Sequence, residues 1–256
     1  MTVRLPGVSD TTDHFDELAP RYAALRATPD YDDPVTEAVA ALGALDGARV
    51  LDVGCGPGTV LERLARERDV EPAGIDVSPA MLEEAQRRLP DADLRLGRAE
   101  SLPFADGSFD VALMRMVVHL LDRPAAFREV VRVVGPEGRL VITTSEPSAI
   151  ADHWTVEYFP SVAVVDGARF PSGEQLCGEL VAAGFATAKA VPLGIRRRFD
   201  RAEALDKLRG RAYSTLSLLP EGEYERGLAL AERTMPDEIA FDVRMLNVVA
   251  SRRRGR

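Results

Sequence analysis

Three closely spaced glycines and two nearby acids are the residues of this chain whose types and spacing point most directly to chemistry. The glycines are Gly54, Gly56 and Gly58, and the acids are Asp52 and Asp76. Glycines allow a tight turn in which the backbone comes close to a ligand. The helix expected after the turn presents free N–H groups to a polar or anionic group. A carboxylate can accept two hydrogen bonds from a vicinal diol, so this segment predicts a small-molecule site.

The order acid–x–Gly–x–Gly–x–Gly from Asp52 to Gly58 resembles the first motif of the class I S-adenosylmethionine (SAM) dependent methyltransferases. The alternative is an NAD site, whose fingerprint Gly-x-Gly-x-x-Gly differs from the Gly-x-Gly-x-Gly present here. The resemblance implies that SAM is the cofactor and S-adenosylhomocysteine the product. It also implies that the loop approaches the methionine part of SAM, and that Asp76 accepts both ribose hydroxyls.

Two further segments are similar to the subgroup that includes the ubiquinone and menaquinone biosynthesis methyltransferases (methyltransferase type 11). They are residues 97–110, which begin Gly-Arg-Ala-Glu-Ser-Leu-Pro-Phe, and residues 129–138, which resemble a Glu-x-x-Arg-Val-Leu-Lys-Pro-Gly-Gly turn. Arg98 departs from the family, because many members carry an acid there beside the adenine amino group. We therefore expect adenine to be recognised by backbone N–H groups around Ala99, with Glu100 nearby.

The resemblance also assigns cofactor contacts in the N-terminal helix and at the strand ends. Tyr22 matches a family tyrosine that closes over SAM, and the alternative is that it packs an amphipathic helix on the core. Arg115 could pair with the SAM carboxylate or an anionic acceptor, or form a surface salt bridge. The predicted cofactor-binding residues are Tyr22, Asp52, Gly54, Cys55, Gly56, Asp76, Val77, Met81, Ala99, Glu100, Met114 and Arg115.

Methyl transfer from a sulfonium requires the protein mainly to position the acceptor and, where needed, to remove a proton. His119 matches the second histidine of a His-His pair found in many relatives, and His153 lies among aromatic residues that suit an acceptor pocket. These two are the candidate catalytic residues, and the alternatives are a structural histidine and packing of the lid. The predicted substrate residues are Trp154, Tyr158, Arg211 and Tyr213, and Arg115, Arg197 or Arg211 could meet an anionic group.

The absence of several motifs narrows the range of possible methyl acceptors. The segment after the fourth predicted strand lacks the Asp/Asn-Pro-Pro-aromatic motif of enzymes that methylate DNA amino groups, neither cysteine follows a proline, and no metal-binding cluster is evident. The net charge of 32 − 41 = −9 argues against a protein that grips phosphate backbones. We expect transfer to O, N or C of a small organic molecule, with no nucleic acid, membrane or metal. The alternatives are a SAM-binding regulator or scaffold without turnover, and a macromolecule methyltransferase.

Strand and helix patterns alternate from residue 35 to residue 145, which predicts a doubly wound parallel sheet. Ligands of such sheets bind at the carboxyl ends of the strands, where the residues above are found. Strands at 186–199 and 238–251 complete an α/β, Rossmann-like, mostly parallel seven-stranded sheet with an antiparallel C-terminal hairpin and a helical cap. The seven strands and the hairpin follow from the resemblance.

The predicted organisation is an N-terminal helical lid segment (1–34), a SAM-binding core (35–145), and a region of lid, edge strands and cap insertion (146–256, with the insertion at about 200–236) in the same domain. The aromatic and apolar content of the cap suggests a hydrophobic or aromatic-ring acceptor, and the alternative is a dimer surface. The composition predicts a cytoplasmic monomer or homodimer, because no apolar run could span a bilayer and two distant cysteines suggest no disulfide framework.

Overall fold

The computed structural model describes residues 15–19, 22, 42, 43 and 45–253. Most of the predicted N-terminal helical lid segment (1–34) lies outside this part. The strands and α-helices after residue 45 are, in chain order, β1 (Ala48–Val53), α1 (Thr59–Glu67), β2 (Val70–Asp76), α2 (Pro79–Arg88), β3 (Asp93–Leu96), β4 (Phe109–Arg115), α3 (Arg123–Val133), β5 (Val134–Ser145), α4 (Ser161–Arg169), α5 (Gly173–Ala183), β6 (Thr187–Asp200), α6 (Arg201–Arg209), α7 (Glu223–Thr234) and β7 (Glu238–Ser251). Short 3-10 helices lie at Val118–Leu120, Pro147–Asp152, Trp154–Glu157 and Ser214–Ser217.

The seven strands form one sheet in the order β3-β2-β1-β4-β5-β7-β6. Strands β1 to β5 are parallel, and β7 is antiparallel to both β5 and β6. Two separate hydrophobic clusters cover the two faces of the sheet, as expected of a doubly wound sheet. The predicted seven-stranded, mostly parallel sheet with an antiparallel C-terminal hairpin is confirmed.

Local sequence signals explain how the helices near the site begin. The side chain of Ser78 caps α2 by accepting a hydrogen bond from the Met81 N–H at 3.1 Å, and Pro79 occupies the first helical position. The turn expected within residues 129–138 is corrected, because β5 already begins at Val134. Val134 pairs with Phe109, and residues 135–138 lie in an irregular part of the strand before Arg139 pairs with Val111.

The C-terminal hairpin extends beyond the rest of the sheet. Strand β5 pairs only with residues 245–251 of β7, whereas β6 pairs with β7 along its whole length. Residues 194–200 and 238–244 therefore form an overhang. A third hydrophobic core, which is built from this overhang, residues 154–162 and the insertion between β6 and β7, packs there and forms the cap. The overhang thus places the cap beside the carboxyl ends of β4 and β5.

Candidate cofactor and acceptor cavities

A cavity of about 120 Å³ lies at the carboxyl ends of β1, β2 and β4. We name it the cofactor cavity. Such ends are where ligands of doubly wound sheets bind. The predicted cofactor-binding residues that line it are Tyr22, Gly54, Gly56, Asp76, Val77, Met81, Ala99, Glu100 and Arg115.

Glycine is required at each of the three loop positions for a different structural reason. Gly54, Gly56 and Gly58 all have positive φ angles, of 76°, 53° and 76°, which side chains rarely adopt. A Cβ on Gly54 would lie 2.7 Å from Cγ2 of Val117, and one on Gly58 would lie 3.1 Å from Cβ of Ala85. A Cβ on Gly56 would meet nothing within 4 Å. Gly56 therefore leaves open space on the cavity wall, as a close approach to a ligand requires.

Asp76 holds the loop and the next helix together. Its Oδ2 accepts a hydrogen bond from the Gly56 N–H at 2.8 Å, and its Oδ1 accepts one from the Ser78 N–H at 3.0 Å. Burial raises the pKa of this carboxyl above its ordinary value, while these hydrogen bonds act in the opposite direction. Each oxygen keeps a further lone pair, so the carboxylate is oriented and can still accept hydrogen bonds from a diol.

Asp52 lies beneath the loop with an exposed fraction of only 1%. Its Oδ1 is buried and has no hydrogen-bond partner. Burial raises the pKa of Asp52 to about 7, the charge of Arg115 lowers it, and the charge of Asp76 raises it further. A buried carboxyl oxygen without a partner is costly. Asp52 is not among the residues that line the cofactor cavity, and its unpartnered oxygen would be satisfied by a cationic hydrogen-bond donor that reaches it from there, such as the ammonium of an amino acid.

The segment after β3 lines another side of the cavity. The guanidinium of Arg98 pairs with Glu100 at 3.1 Å, and the second carboxylate oxygen of Glu100 accepts a hydrogen bond from the Asp122 N–H at 3.1 Å. Arg98 is thus engaged by its neighbour, and recognition of a ligand by the backbone around Ala99 stays a prediction.

The described N-terminal residues form one wall of the cofactor cavity. Asp16 accepts hydrogen bonds from the Ser78 hydroxyl and, at 3.4 Å, from the Ala80 N–H. These contacts attach residues 15–19 to the start of α2. The rings of Phe15 and Tyr22 meet edge to face, with centroids 6.4 Å apart, and both line the cavity.

A second cavity of about 190 Å³ lies under the cap. We name it the acceptor cavity. Phe15, Tyr22, Arg115 and Met116 line both cavities, so the two adjoin along these residues. Met116 directly follows β4 and has a φ of 52°, which is rare for a residue with a side chain. Its N–H donates to the Thr143 carbonyl at 2.8 Å, which fixes this turn at the junction.

Both candidate histidines line the acceptor cavity. The ring of His119 stacks on Phe170 with centroids 4.1 Å apart, and its buried Nδ1 has no hydrogen-bond partner. Burial and the nearby charge of Arg169 lower the pKa of His119 well below its ordinary value. His119 is therefore a neutral imidazole at neutral pH. Nδ1 of His153 lies 2.8 Å from the hydroxyl of Thr155.

Six predicted site residues line neither cavity: Asp52, which lies beneath the glycine loop, and Cys55, Met114, Trp154, Tyr158 and Arg211. The side chains of Cys55 and Met114 lie in the cores on opposite faces of the sheet, because neighbours of cavity residues on a loop or strand point the other way. Trp154 and Tyr158 belong to the core of the cap. The guanidinium of Arg211 lies 3.8 Å from the ring centre of Tyr224. Trp154 and Tyr158 thus help to build the cap and do not line the acceptor cavity.

The acceptor cavity also has lining residues that were not predicted from the sequence. Phe199 alternates with Ile195 and Arg197 as buried residues on the overhang, and this period of two could have indicated its inward direction. Lys207 shares the buried face of α6 with Ala204 and Leu208, but a lysine on a helix gives no such signal. The missed residues include Phe15, Met116, Asp166, Phe170, Phe199, Lys207, Ser214, Thr215 and Phe241.

Within the described residues, no group of three His, Cys, Asp or Glu side chains could hold a metal ion. None of the helices in the same ranges combines the length and apolar character that a membrane span requires.

A family model described as a methyltransferase domain matches residues 51–142, from the end of β1 into β5. An uncharacterized 37.1 kDa protein in transposon TN4556 of Streptomyces fradiae is 33% identical over 249 residues, which cover 91% of this chain and 67% of that protein. O-methyltransferase rstn1 of Aspergillus nomiae NRRL is 35% identical over 161 residues, which cover 56% of this chain and 67% of the relative.

Demethylmenaquinone methyltransferase of Renibacterium salmoninarum is 37% identical over 135 residues, which are 50% of this chain and 55% of the relative. The chain thus spans about half of the length of the demethylmenaquinone methyltransferases that it matches. Among solved structures, the YcgJ protein of Bacillus subtilis superposes with a TM-score of 0.63 at 20% identity, over 87% of this chain and 99% of that one. The chain therefore belongs to the class I SAM-dependent methyltransferases, and it is similar to demethylmenaquinone methyltransferases over about half of their length.

Proposed function

We propose that the chain binds SAM in the cofactor cavity and catalyses transfer of its methyl group to O, N or C of a small organic molecule in the acceptor cavity. The observation that supports this most strongly is the junction of the two cavities at Phe15, Tyr22, Arg115 and Met116. In-line transfer requires donor and acceptor to face each other at such a junction.

The polar groups of the cofactor cavity match the polar groups of SAM. Asp76, which the N–H groups of Gly56 and Ser78 orient, would accept hydrogen bonds from the ribose hydroxyls. The unpartnered oxygen of Asp52 would accept one from the ammonium of the methionine part, and Arg115 would attract its carboxylate. A bound ammonium would also favour the ionised form of Asp52.

The remaining residues of the cofactor cavity suit the adenine ring. Val77 and Met81 offer apolar contacts, and the backbone of Ala99 with the carboxylate of Glu100 offers polar ones. Gly54 and Gly56 allow the loop to approach the cofactor, and Tyr22 would close over it. Cys55 and Met114 support this wall from the core rather than by contact.

When bound, SAM supplies a methyl group on a sulfonium, which is a good leaving group. The chain would position the acceptor and exclude water. His119 is suited to accept a hydrogen bond from the reacting group, because Nδ1 is buried without a partner and the ring is neutral. His153, whose ring meets Tyr213 and Phe241 edge to face at 5.4 and 5.3 Å, would orient the acceptor from the cap.

The names of the relatives support a small-molecule acceptor, because they include demethylmenaquinone methyltransferases and an O-methyltransferase. A regulator without turnover and a macromolecule methyltransferase have no observation in their favour here. A cytoplasmic location stays a prediction, supported by the two free cysteines Cys55 and Cys177. A monomer or homodimer stays a prediction as well.

The test is an incubation with methyl-labelled SAM and separate pools of metabolites, RNA and protein. We expect label in the metabolite pool, and loss of that label in Asp76→Ala but not in Asp91→Ala, whose exposed acid follows α2. Label in RNA or protein would replace the small-molecule proposal. SAM binding without label in any pool would favour a regulator.

A further inference from the structure

Buried positive charge in the acceptor cavity indicates the chemical class of the acceptor. Resting on the function proposed above, we propose that the acceptor is an organic anion: a ring-bearing molecule whose carboxylate or phosphate group binds between Arg197 and Lys207. Both side chains line the acceptor cavity, and neither residue belongs to the cofactor cavity.

The burial of these cations is unusual for this chain. Arg169, Arg197 and Lys207 are each only 6% exposed, although Arg and Lys are rarely buried so fully. Among the described residues, the other charged side chain buried to this degree is Asp52, which lies beneath the cofactor loop. The charged residues with the deepest burial at the acceptor cavity are thus all cations.

The fold directs these cations at the cavity from different elements. Arg197 projects from the overhang between the inward-facing Ile195 and Phe199. Lys207 projects from α6, with Nζ 4.8 Å from the centre of the Phe199 ring and 3.2 Å from Oε1 of Glu203. A ligand near Phe199 would therefore meet a cation from the strand side and another from the helix side.

Arg169 adds a further positive charge on the α4 side. Its Nη2 donates to the Ser214 hydroxyl at 3.2 Å, and its Nη1 lies 3.6 Å from Asp166 and has no hydrogen-bond partner. Ser214 and Asp166 line the cavity, so Arg169 stands directly behind that wall. Burial, together with the charge of Arg169, lowers the pKa of His119 and keeps that ring neutral, so the positive charge on this side comes from the guanidinium.

The other walls define the body of the ligand. Phe170, Phe199, Tyr213 and Phe241 line the same cavity, and aromatic side chains of this kind pack against rings. In a partly enclosed, apolar cavity, the attraction between an anion and a buried cation is much stronger than in water. An acid should therefore bind more tightly than the uncharged amide of the same shape.

The test is calorimetric titration of the full chain saturated with S-adenosylhomocysteine. The probes are 1-naphthoate, 1-naphthyl phosphate and the neutral 1-naphthamide. We expect at least one of the two anions to bind about tenfold or more tightly than the amide, and the stronger of the two identifies carboxylate or phosphate as the preferred group. Equal or tighter binding of the amide, or no binding of either anion, would overturn the inference.

Variants locate the effect within the cavity. Lys207→Met and Arg197→Met should each remove most of the preference for the anion, and Arg197→Lys should retain part of it. The matched control is Arg198→Met, because Arg198 is exposed on the same strand and pairs with Glu238. A preference that survives in Lys207→Met and Arg197→Met contradicts the inference. Titration of S-adenosylhomocysteine into the chain, before any probe is added, separates the two proposals. No binding in that step refutes the proposed function, whereas binding without a preference for the anions refutes only this inference.

Discussion

The cofactor cavity and the acceptor cavity adjoin, yet they are built in different ways. The cofactor cavity lies over adjacent parallel strands, where residues 54–76 present the glycine loop and the carboxylate of Asp76. The acceptor cavity gathers side chains from the N-terminal helix, the end of β4, α4, the overhang and the cap, which lie far apart in the chain. A cavity of the first kind is determined by a short segment, whereas the second depends on how distant elements pack.

Charge distinguishes the two cavities as well. The most buried ionisable group next to the first is the carboxyl of Asp52 beneath the glycine loop, and those at the second are the cations Arg169, Arg197 and Lys207. The first would attract the ammonium of an amino acid, and the second would attract an anion. The experiments below test this contrast in order of expected effect.

The largest effect should come from Asp52→Asn. The pKa of Asp52 is about 7 in the folded chain, against an ordinary value of 3.8. At pH values between these two, the folded state therefore keeps a proton that the unfolded state has lost. The free energy of unfolding should therefore fall as pH rises through this window. Relative to Asp52→Asn, the wild type should lose about 3 kcal/mol between about pH 5 and pH 8.

Urea unfolding of both proteins without SAM measures this difference, and Asp91→Asn is the exposed control. If the wild type and Asp52→Asn show the same dependence on pH, Asp52 is not a buried titrating group. SAM should bind less tightly to Asp52→Asn, so stability and cofactor affinity should change in opposite directions at high pH.

The next effect separates backbone strain from ligand contact. Gly56 and Gly47 both have positive φ angles, of 53° and 71°, and a Cβ on either would meet nothing within 4 Å. Alanine at either position should therefore destabilise the fold by about 1–2 kcal/mol. Only Gly56→Ala should also weaken binding of S-adenosylhomocysteine, because only Gly56 lines the cofactor cavity. Equal affinity of the two variants would show that the loop does not approach the ligand.

The smallest effect concerns the attachment of the cap. The hydroxyl of Thr215 donates to Asp166 at 2.6 Å and connects the cap to α4. Thr215→Val should lower the free energy of unfolding by about 1 kcal/mol and increase hydrogen exchange across residues 205–220. Thr234→Val, whose hydroxyl bonds only its own helix, is the control. Protection of the cap that rises with protein concentration would instead indicate a dimer surface.

The sequence predicts the cofactor side well, because spacing within one short segment determines it. Asp52, Gly54, Gly56 and Asp76 act through a single turn between two strands, and their places follow from the strand and helix pattern. The acceptor side could not be predicted in the same way. Trp154 and Tyr158 are residue types that often line binding sites, but here they fill the core of the cap. Lys207 is a residue type that usually lies on the surface, but here it is buried at the cavity. Only the tertiary packing of the cap on the overhang decides between these places.

The measurement that tests the account most directly is calorimetric titration of S-adenosylhomocysteine into the wild type, Asp76→Ala and the exposed control Asp91→Ala. Thermal unfolding of each variant verifies that it is folded. The account predicts binding to the wild type and to Asp91→Ala, with binding to Asp76→Ala weaker by roughly 1.5–3 kcal/mol, the range for hydrogen bonds to a charged group. Equal affinity for the folded Asp76→Ala protein and the wild type would contradict it.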